Sequence, residues 1–390
     1  MAGGLGDREN TEVGPLAPLA LTWYHRGGSL RGLPMRALRF LPALLVLPAF
    51  LAAQAADSAA KEPYKPPRIF RTDEPLWVSL SADFKKTVFK DTDSMSTKQY
   101  PAVLRYVSEA GDTASLDVQL STRGHFRLRT CDFVPIKVHF DKEKSKGSPF
   151  AGEGALKLGT HCKNNDQFVQ NTYVEWAINK MYDMLSPLSL KARLSQVTWM
   201  DPKDPKFTVT QPGIWFQDED DLAKEVGGKI VMQTGATGGS MEPKQMAIND
   251  IFQYMIGNTD FSVWALHNYR IMAMDTSANW FAFAYDFDWA GLVDAPYAAP
   301  DAQLQIKYNV TRVTDRLYRS VVCYPPEILN GTIDLFKVKK DSIYGTLRNI
   351  KDLKPNRLKN AEGFLDKFYK ELDDPKAIRR NFEEPCRRGS

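Results

Sequence analysis

GNTDFSVWALHNYRIMAMDTSANWFAFAYDFDW, residues 257–289, sets Asp260, Asn268, Asp286 and Asp288 among the densest aromatics of the chain. Within it, YRIMAM and WFAFAYDFDW read as strands, and DTSAN between them is turn-forming. An antiparallel hairpin in which Met274 faces Trp280 places Arg270 opposite Ala284 and Asn268 opposite Asp286. Facing side chains lie on one side with Cβ atoms about 4.5–5.5 Å apart, close enough for an amide oxygen and a carboxylate to share a metal ion. Alternation sends Phe281, Phe283, Tyr285, Phe287 and Trp289 to one side, and Ala282, Ala284, Asp286 and Asp288 to the other. The aromatics then hold the strand down while the acids face a cavity; a half-exposed strand with solvated acids is the plainer alternative. Hard oxygen ligands of this kind suit Mg²⁺ or Mn²⁺ with substrate phosphates completing the shell. An Asp (Asp260), then an Asn (Asn268), then a hairpin, then an Asp (Asp286) is the order of kinase-type phosphoryl transfer. There the first Asp orients the acceptor hydroxyl, and the Asn and last Asp hold the metal.

Outward from this hairpin the pattern divides. LWVSLSADF, AVLRYVSEA, SLDVQLSTRGHFRLR, VPIKVHF and ALKLGTH read as short strands, so 76–160 is mostly β. Residues 172–186 have helical spacing with Asn171 as a candidate cap. ARLSQVTWM and FTVTQPGIWFQ return to strand, and DEDDLAKEVG starts a helix with acids in its first turn. Residues 227–243 are Gly-rich, but no Lys-Ser/Thr closes a phosphate loop, and a flexible loop is expected. PKQMAINDIFQYMIGN, TDRLYRSVV, DSIYGTLRNI and NAEGFLDKFYKEL all have helical spacing. The expected fold class is α+β, with a β-rich N-terminal lobe (76–222) and a mostly helical C-terminal lobe (223–390) that carries the hairpin.

The 390 residues are 43% hydrophobic and 25% charged, ordinary for a globular chain. A net charge of +4, without a basic run interleaved with aromatics, gives no nucleic-acid signature. MRALRFLPALLVLPAFLAAQA, residues 35–55, has a basic start, a short apolar core and Ala53-Gln54-Ala55, the form of a cleavable signal peptide. A membrane anchor is the alternative. Met35 is then the expected start, residues 1–34 lie upstream of it, and 56–75 is a linker. Cleavage after Ala55 takes five Arg and three acids from +4 and leaves about +2. The mature chain is expected to be exported, to periplasm or beyond, with no membrane span. Cys131, Cys162, Cys323 and Cys386 permit three disulfide pairings; Cys131–Cys162 with Cys323–Cys386 closes the shortest loops. No CxxC or HxxxH spacing supports zinc.

Several stretches resemble the CotH family of secreted atypical kinases. Arg123-Gly124 and the basic strand around Lys137 look like its early RG…K segment, and Leu156-Lys157-Leu158 like its lysine-bearing strand. GIWFQDED, 213–220, looks like the strand entering an acidic hinge. Asp260, Asn268 and Tyr285-Asp286-Phe287-Asp288 look like its catalytic aspartate, metal asparagine and metal aspartates. The likeness spans roughly residues 100–300. It implies a bilobal protein-kinase-like fold, Mg or Mn, and ATP as phosphate donor to a protein or other hydroxyl acceptor. Lys157 or Lys137 would neutralise the α/β-phosphates with Arg123 nearby, and Glu175 on the first helix would pair with that lysine. An exposed strand face carrying Arg123, Arg127 and Arg129 is the plainer alternative.

The chain departs from protein kinases in having no G-x-G-x-x-G loop, no His-Arg before Asp260, eight residues from Asp260 to Asn268, and Asp-Phe-Asp for Asp-Phe-Gly. These departures keep open a non-catalytic secreted binding or envelope-assembly protein on a pseudokinase scaffold. No G-x-S-x-G occurs, and none of His25, His125, His139, His161 and His267 stands in a hydrolase triad context; His267 reads as structural. Asp286 and Asp288, about 7 Å apart on one strand face, have a glycosidase-like spacing. That reading leaves Asn268 and the basic strands unexplained.

Overall fold

Alternating apolar residues in the first half close into a barrel. The computed structural model describes residues 64–385 apart from 109, 110 and 321. The expectations for 1–34, for the signal peptide and for Cys386 lie outside the described residues. The barrel strands are β1 (Leu76–Ser81), β2 (Tyr100–Val107), β3 (Thr113–Thr122), β4 (Ile136–His139), β5 (Ala155–Gly159), β6 (Ala192–Asp201) and β7 (Asp204–Phe216). Their order is β1-β2-β3-β4-β5-β7-β6. Neighbours are antiparallel except β1 and β6, which run parallel from Leu76 opposite Ser195 to Ser81 opposite Met200. Closure removes the exposed strand edge that an open sheet would leave. β3 shows the period-two rule plainly: Leu116, Val118 and Leu120 are buried while Ser115, Asp117 and Gln119 are exposed. Trp199, Trp215, Phe84 and Phe150 fill the barrel.

Three expectations are corrected here. The described part of the 56–75 linker is bound to the barrel: Ile69 is fully buried, and Arg193 donates to the Ile69 oxygen at 3.0 Å and the Glu74 oxygen at 2.9 Å. HFRLR does not continue the strand. Gly124 takes φ +92°, accessible to a residue without Cβ, and the chain turns into a short helix, α1 (Phe126–Thr130). Arg127 and Arg129 therefore sit on a helical turn. The third correction lies in the Gly-rich segment, where β8 (Gly228–Val231) is a strand.

Cys131 follows α1 and is disulfide-bonded to Cys162, 31 residues away, as the shortest-loop pairing has it. Cys323 is also disulfide-bonded. Closing a loop of this length removes unfolded-state entropy worth about 3–4 kcal/mol. Cys131→Ala/Cys162→Ala is expected to lose about that much stability in urea denaturation. An unchanged midpoint would show that the bond constrains nothing the fold does not already hold.

The helical part comprises α2 (Asp166–Leu185), α3 (Glu219–Val226), α4 (Pro243–Ile256), α5 (Ala302–Tyr308), α6 (Pro326–Val338), α7 (Lys340–Arg348) and α8 (Pro355–Leu372). β9 (Tyr269–Met274) and β10 (Phe281–Ala284) form a small sheet with β8, in the order β10-β9-β8. α2 starts earlier than its apolar spacing indicated, and its cap is Asn165, which accepts from the Phe168 amide at 3.3 Å; Asn171 is buried inside the helix. Val174 and Ile178 of α2 share one core with Phe252 of α4, Ile333 and Phe336 of α6 and Leu365 of α8. Residues 314–320 are not helical despite their spacing. Arg316 there donates to the Tyr254 and Met255 carbonyls in the last turn of α4, and its guanidinium lies 3.9 Å from the Phe364 ring. A helix end with unpaired carbonyls outcompetes local helix propensity. Among the described residues no helix is long and apolar enough to cross a membrane.

Candidate functional site

Gly257, in the left-handed region at φ +66°, ends α4, and the loop after it presents Asp260. Side chains fix this loop on every side. Asn258 accepts from the Asp260 amide at 2.9 Å, and Asn268 donates to the Asp260 carbonyl at 2.8 Å. Arg319 donates to the carbonyls of Thr259 at 2.5 Å and Phe261 at 3.1 Å. The Asp260 carboxylate itself meets Asn268 Nδ2 at 3.1 Å and His267 Nε2 at 3.0 Å. That hydrogen bond, more than Asp260's charge, raises the His267 pKa against the effect of burial. His267 thus has a site contact that its sequence context did not reveal.

The hairpin forms, one residue out of the expected register. Ile271 faces Ala282 and Tyr269 faces Ala284, so Tyr285 follows opposite Asn268, donating its amide to the Asn268 carbonyl at 3.1 Å. At the turn end of the hairpin Trp280 bridges instead to Met241, with Trp280 N to Ser240 O at 2.8 Å and Glu242 N to Trp280 O at 2.7 Å. The two faces also differ from strict alternation. Ala282 and Ala284 point into the helical core, where Asn249 and Tyr182 hydrogen-bond their backbone at 2.7 and 3.1 Å. Phe283 packs with Met272 and Leu222 on the other side. Asn268 and Asp286 both leave strand geometry for the left-handed region, at φ 53° and 62°. Asp and Asn tolerate that conformation better than most residues. The site acids therefore do not share the alanine face.

Asp286 is exposed, whereas Asp288, Glu175 and Asn268 are buried. Asp288 accepts from the Tyr297 hydroxyl at 2.8 Å. Arg127 Nη1 lies 3.9 Å from Asp288 Oδ2 and 4.0 Å from Glu175 Oε2, and Nη2 donates to the Thr160 carbonyl. α1 is held there by Phe126, whose ring packs against Trp289 and Tyr297 at 5.1 and 5.6 Å. Burial pushes the Glu175 carboxyl up to about 7, with Arg127 pulling it down and Asp286 pushing it up. Asp288 is held well above the usual carboxylate range by burial first and the Asp286 charge second, against the pull of Arg127. One arginine thus faces three clustered acids.

The nucleotide-binding expectations come out differently. Lys137 and Lys157 face each other across β4 and β5, on the outer side of the barrel. Lys157 pairs with Glu219 at the start of α3, and Glu219 also meets Arg270 Nε at 3.3 Å. Arg270 in turn receives Tyr285, hydrogen-bonding its hydroxyl with the ring 4.6 Å away. The lysine–Glu175 pair implied by the resemblance is not formed: the cation nearest Glu175 is Arg127. Arg123 reaches Glu175 through its charge. Sequence reasoning missed Arg127, Glu219, Arg270, Tyr297 and Arg319 as parts of this arrangement. A usable signal existed only for Arg127, close before a disulfide cysteine and after a Gly that ends a strand.

No three His, Cys, Asp or Glu side chains among the described residues gather as a metal nest. The donor set here is two carboxylates and an amide. Asn268 uses its nitrogen on Asp260, and its Oδ1 makes no hydrogen bond; neither does the Asp286 carboxylate. No family model matches this chain, nor does any curated protein.

Proposed function

We propose that this chain is a metal-dependent phosphotransferase, a CotH-like atypical kinase with a bilobal kinase-like fold, moving phosphate from ATP to a protein or other hydroxyl acceptor. What supports the reading is that Asn268 hydrogen-bonds Asp260 while the charge of Asp286 acts on both His267 and Asp288, each acid being held differently. Asp260 is clamped through its backbone while its carboxylate stays partly open, as a group that accepts a hydroxyl proton must be. His267 and Asn268 orient it. Asp286 stands free beside a buried acid pair, an excess of negative charge that suits Mg²⁺ or Mn²⁺. Asn268 Oδ1, Asp286 and Asp288 would hold the ion, which supplies charge neutralisation at the β- and γ-phosphates. Lys157 with Lys137 and Arg123 offers positive charge for the remaining phosphates, and Glu219 takes the orienting part that Glu175 was expected to play.

Arg127 favours a second reading, a non-catalytic secreted binding or envelope-assembly protein on a pseudokinase scaffold. It already places a cation against Glu175 and Asp288, which lowers the need for another. One experiment separates the two. The purified protein is incubated with ATP and Mg²⁺ or Mn²⁺, and protein mass and nucleotide turnover are followed. Transfer of phosphate or AMP that needs the metal and falls at least about a hundredfold in both Asp260→Ala and Asp286→Ala, with melting temperatures kept, is the expected result. No transfer and no metal-dependent nucleotide binding would move the weight to the second reading.

A further inference from the structure

Beside Glu175 on α2, Trp176 turns to a different face, where it borders a cavity of about 990 Å³ between β1, α2 and α7. This volume is at the upper end for small-ligand sites. Trp77 of β1 is the other aromatic wall, 60% exposed and opposite Gln196 across the parallel β1–β6 pair. Among the described residues neither indole stacks on another ring. Trp176 is fixed by its Nε1, which donates to the Ala192 carbonyl at 3.3 Å. An exposed tryptophan on a strand, without an aromatic partner, leaves a large apolar face in water.

The polar lining narrows the ligand. Ser342 and Thr346 of α7 and Asn349 just after it offer hydroxyls and an amide, and Gln196 adds a second amide. Asp73, Glu74, Asp183 and Asp352 outnumber Lys180 and Lys351, so phosphates and carboxylates are repelled. The acids are largely engaged: Lys180 binds Asp73 at 2.8 Å and Asp183 at 3.6 Å, and Gln196 and Tyr173 reach Asp352 at 3.4 Å. A cationic peptide therefore finds few free acids. A hydroxyl, by contrast, can donate to a carboxylate that is already shared and accept from a neighbouring amide. A ligand rich in hydroxyls on its edge and in C–H bonds on its face satisfies both the lining and the indoles, whose negative π-faces attract polarised C–H groups.

We infer that this groove binds a neutral oligosaccharide, with Trp77 as the main stacking platform. The inference is independent of the phosphotransfer reading, since none of Asp260, Asn268, Asp286 and Asp288 lines the groove. The full protein is titrated with neutral gluco-, manno- and N-acetylglucosaminyl hexasaccharides by calorimetry and tryptophan fluorescence, with a Lys-rich hexapeptide and inorganic phosphate as rival probes. The expected result is saturable binding of at least one saccharide, weakened about tenfold or more in Trp77→Ala, partly kept in Trp77→Phe, and unchanged in Asp286→Ala. Trp77 is exposed, so its removal leaves the core intact; matched melting curves verify this. Absence of binding across the three saccharides, equal binding by Trp77→Ala, or preference for the hexapeptide overturns the inference.

Discussion

Arg127→Ala is expected to destabilise the protein by about 3–5 kcal/mol, the usual cost of removing one partner from a buried ionic group. The side chain is 12% exposed and lies between Glu175 Oε2 at 4.0 Å and Asp288 Oδ2 at 3.9 Å, while its Nη2 satisfies the Thr160 carbonyl. Alanine leaves two buried carboxylates facing each other and the exposed Asp286, with no cation between them. It also leaves a carbonyl without its donor. Glu175→Gln removes a carboxyl whose ionised form Arg127 favours, so Arg127→Ala/Glu175→Gln is expected to recover part of the loss. Urea denaturation of wild type, both single variants and the double variant gives the coupling energy directly. A single-variant loss below about 0.5 kcal/mol, in the range of an ordinary surface change, would mean that Arg127 is an onlooker. A loss near the expected size consumes about a fifth or more of the 5–15 kcal/mol by which domains are typically stable.

That arginine also marks where sequence reading stopped. The barrel was legible strand by strand because one face of each strand is buried, and burial on one face imposes a period of two. Its closure was not legible: the parallel β1–β6 pair joins residues more than a hundred positions apart, and no local pattern encodes it. The hairpin 269–284 was legible, but its register is one residue away from the expected one, and Trp280 bonds to Ser240 and Glu242, a distant segment, rather than facing Met274. Asp260 and Asn268 meet through hydrogen bonds that the eight-residue spacing permits but does not require. Arg127 was assigned to a strand since FRLR alternates well; Gly124 and the Cys131–Cys162 bond override that alternation. Residues 314–320 failed in the same way, their helical spacing losing to the carbonyls that Arg316 and Arg319 must reach.

Asp250→Asn is expected to flatten the fall of stability between about pH 4 and 7 and to make the protein more stable than wild type at pH 8. Asp250 sits on the buried side of α4, 2% exposed, with Oδ2 accepting from the Tyr324 hydroxyl at 2.5 Å and Oδ1 without a partner. Among the described residues no lysine or arginine pairs with it. Tyr318 and Tyr269 are neighbours whose own ionisation its charge opposes. Burial pushes its pKa from 3.8 to about 7, against the nearby Ser320 hydroxyl and the Tyr324 hydrogen bond, which favour the anion. The folded pKa is raised, so the native state holds a proton that the unfolded chain has released. Between 3.8 and about 7 the native state is the better proton binder, and stability must fall as pH rises. The full difference is on the order of 4 kcal/mol at 1.36 kcal/mol per unit. It is absent below the unfolded pKa and complete above the folded one. Asparagine carries no charge to bury, so the variant skips this loss. Glu175, pushed to about 7, bends the curve the same way, and His161, pushed down to about 3 by burial, bends it the other way. Both remain in the variant, so subtracting the two stability curves from pH 4.5 to 8 isolates Asp250. Parallel curves across that range would show that the carboxyl ionises as readily inside the fold as outside it.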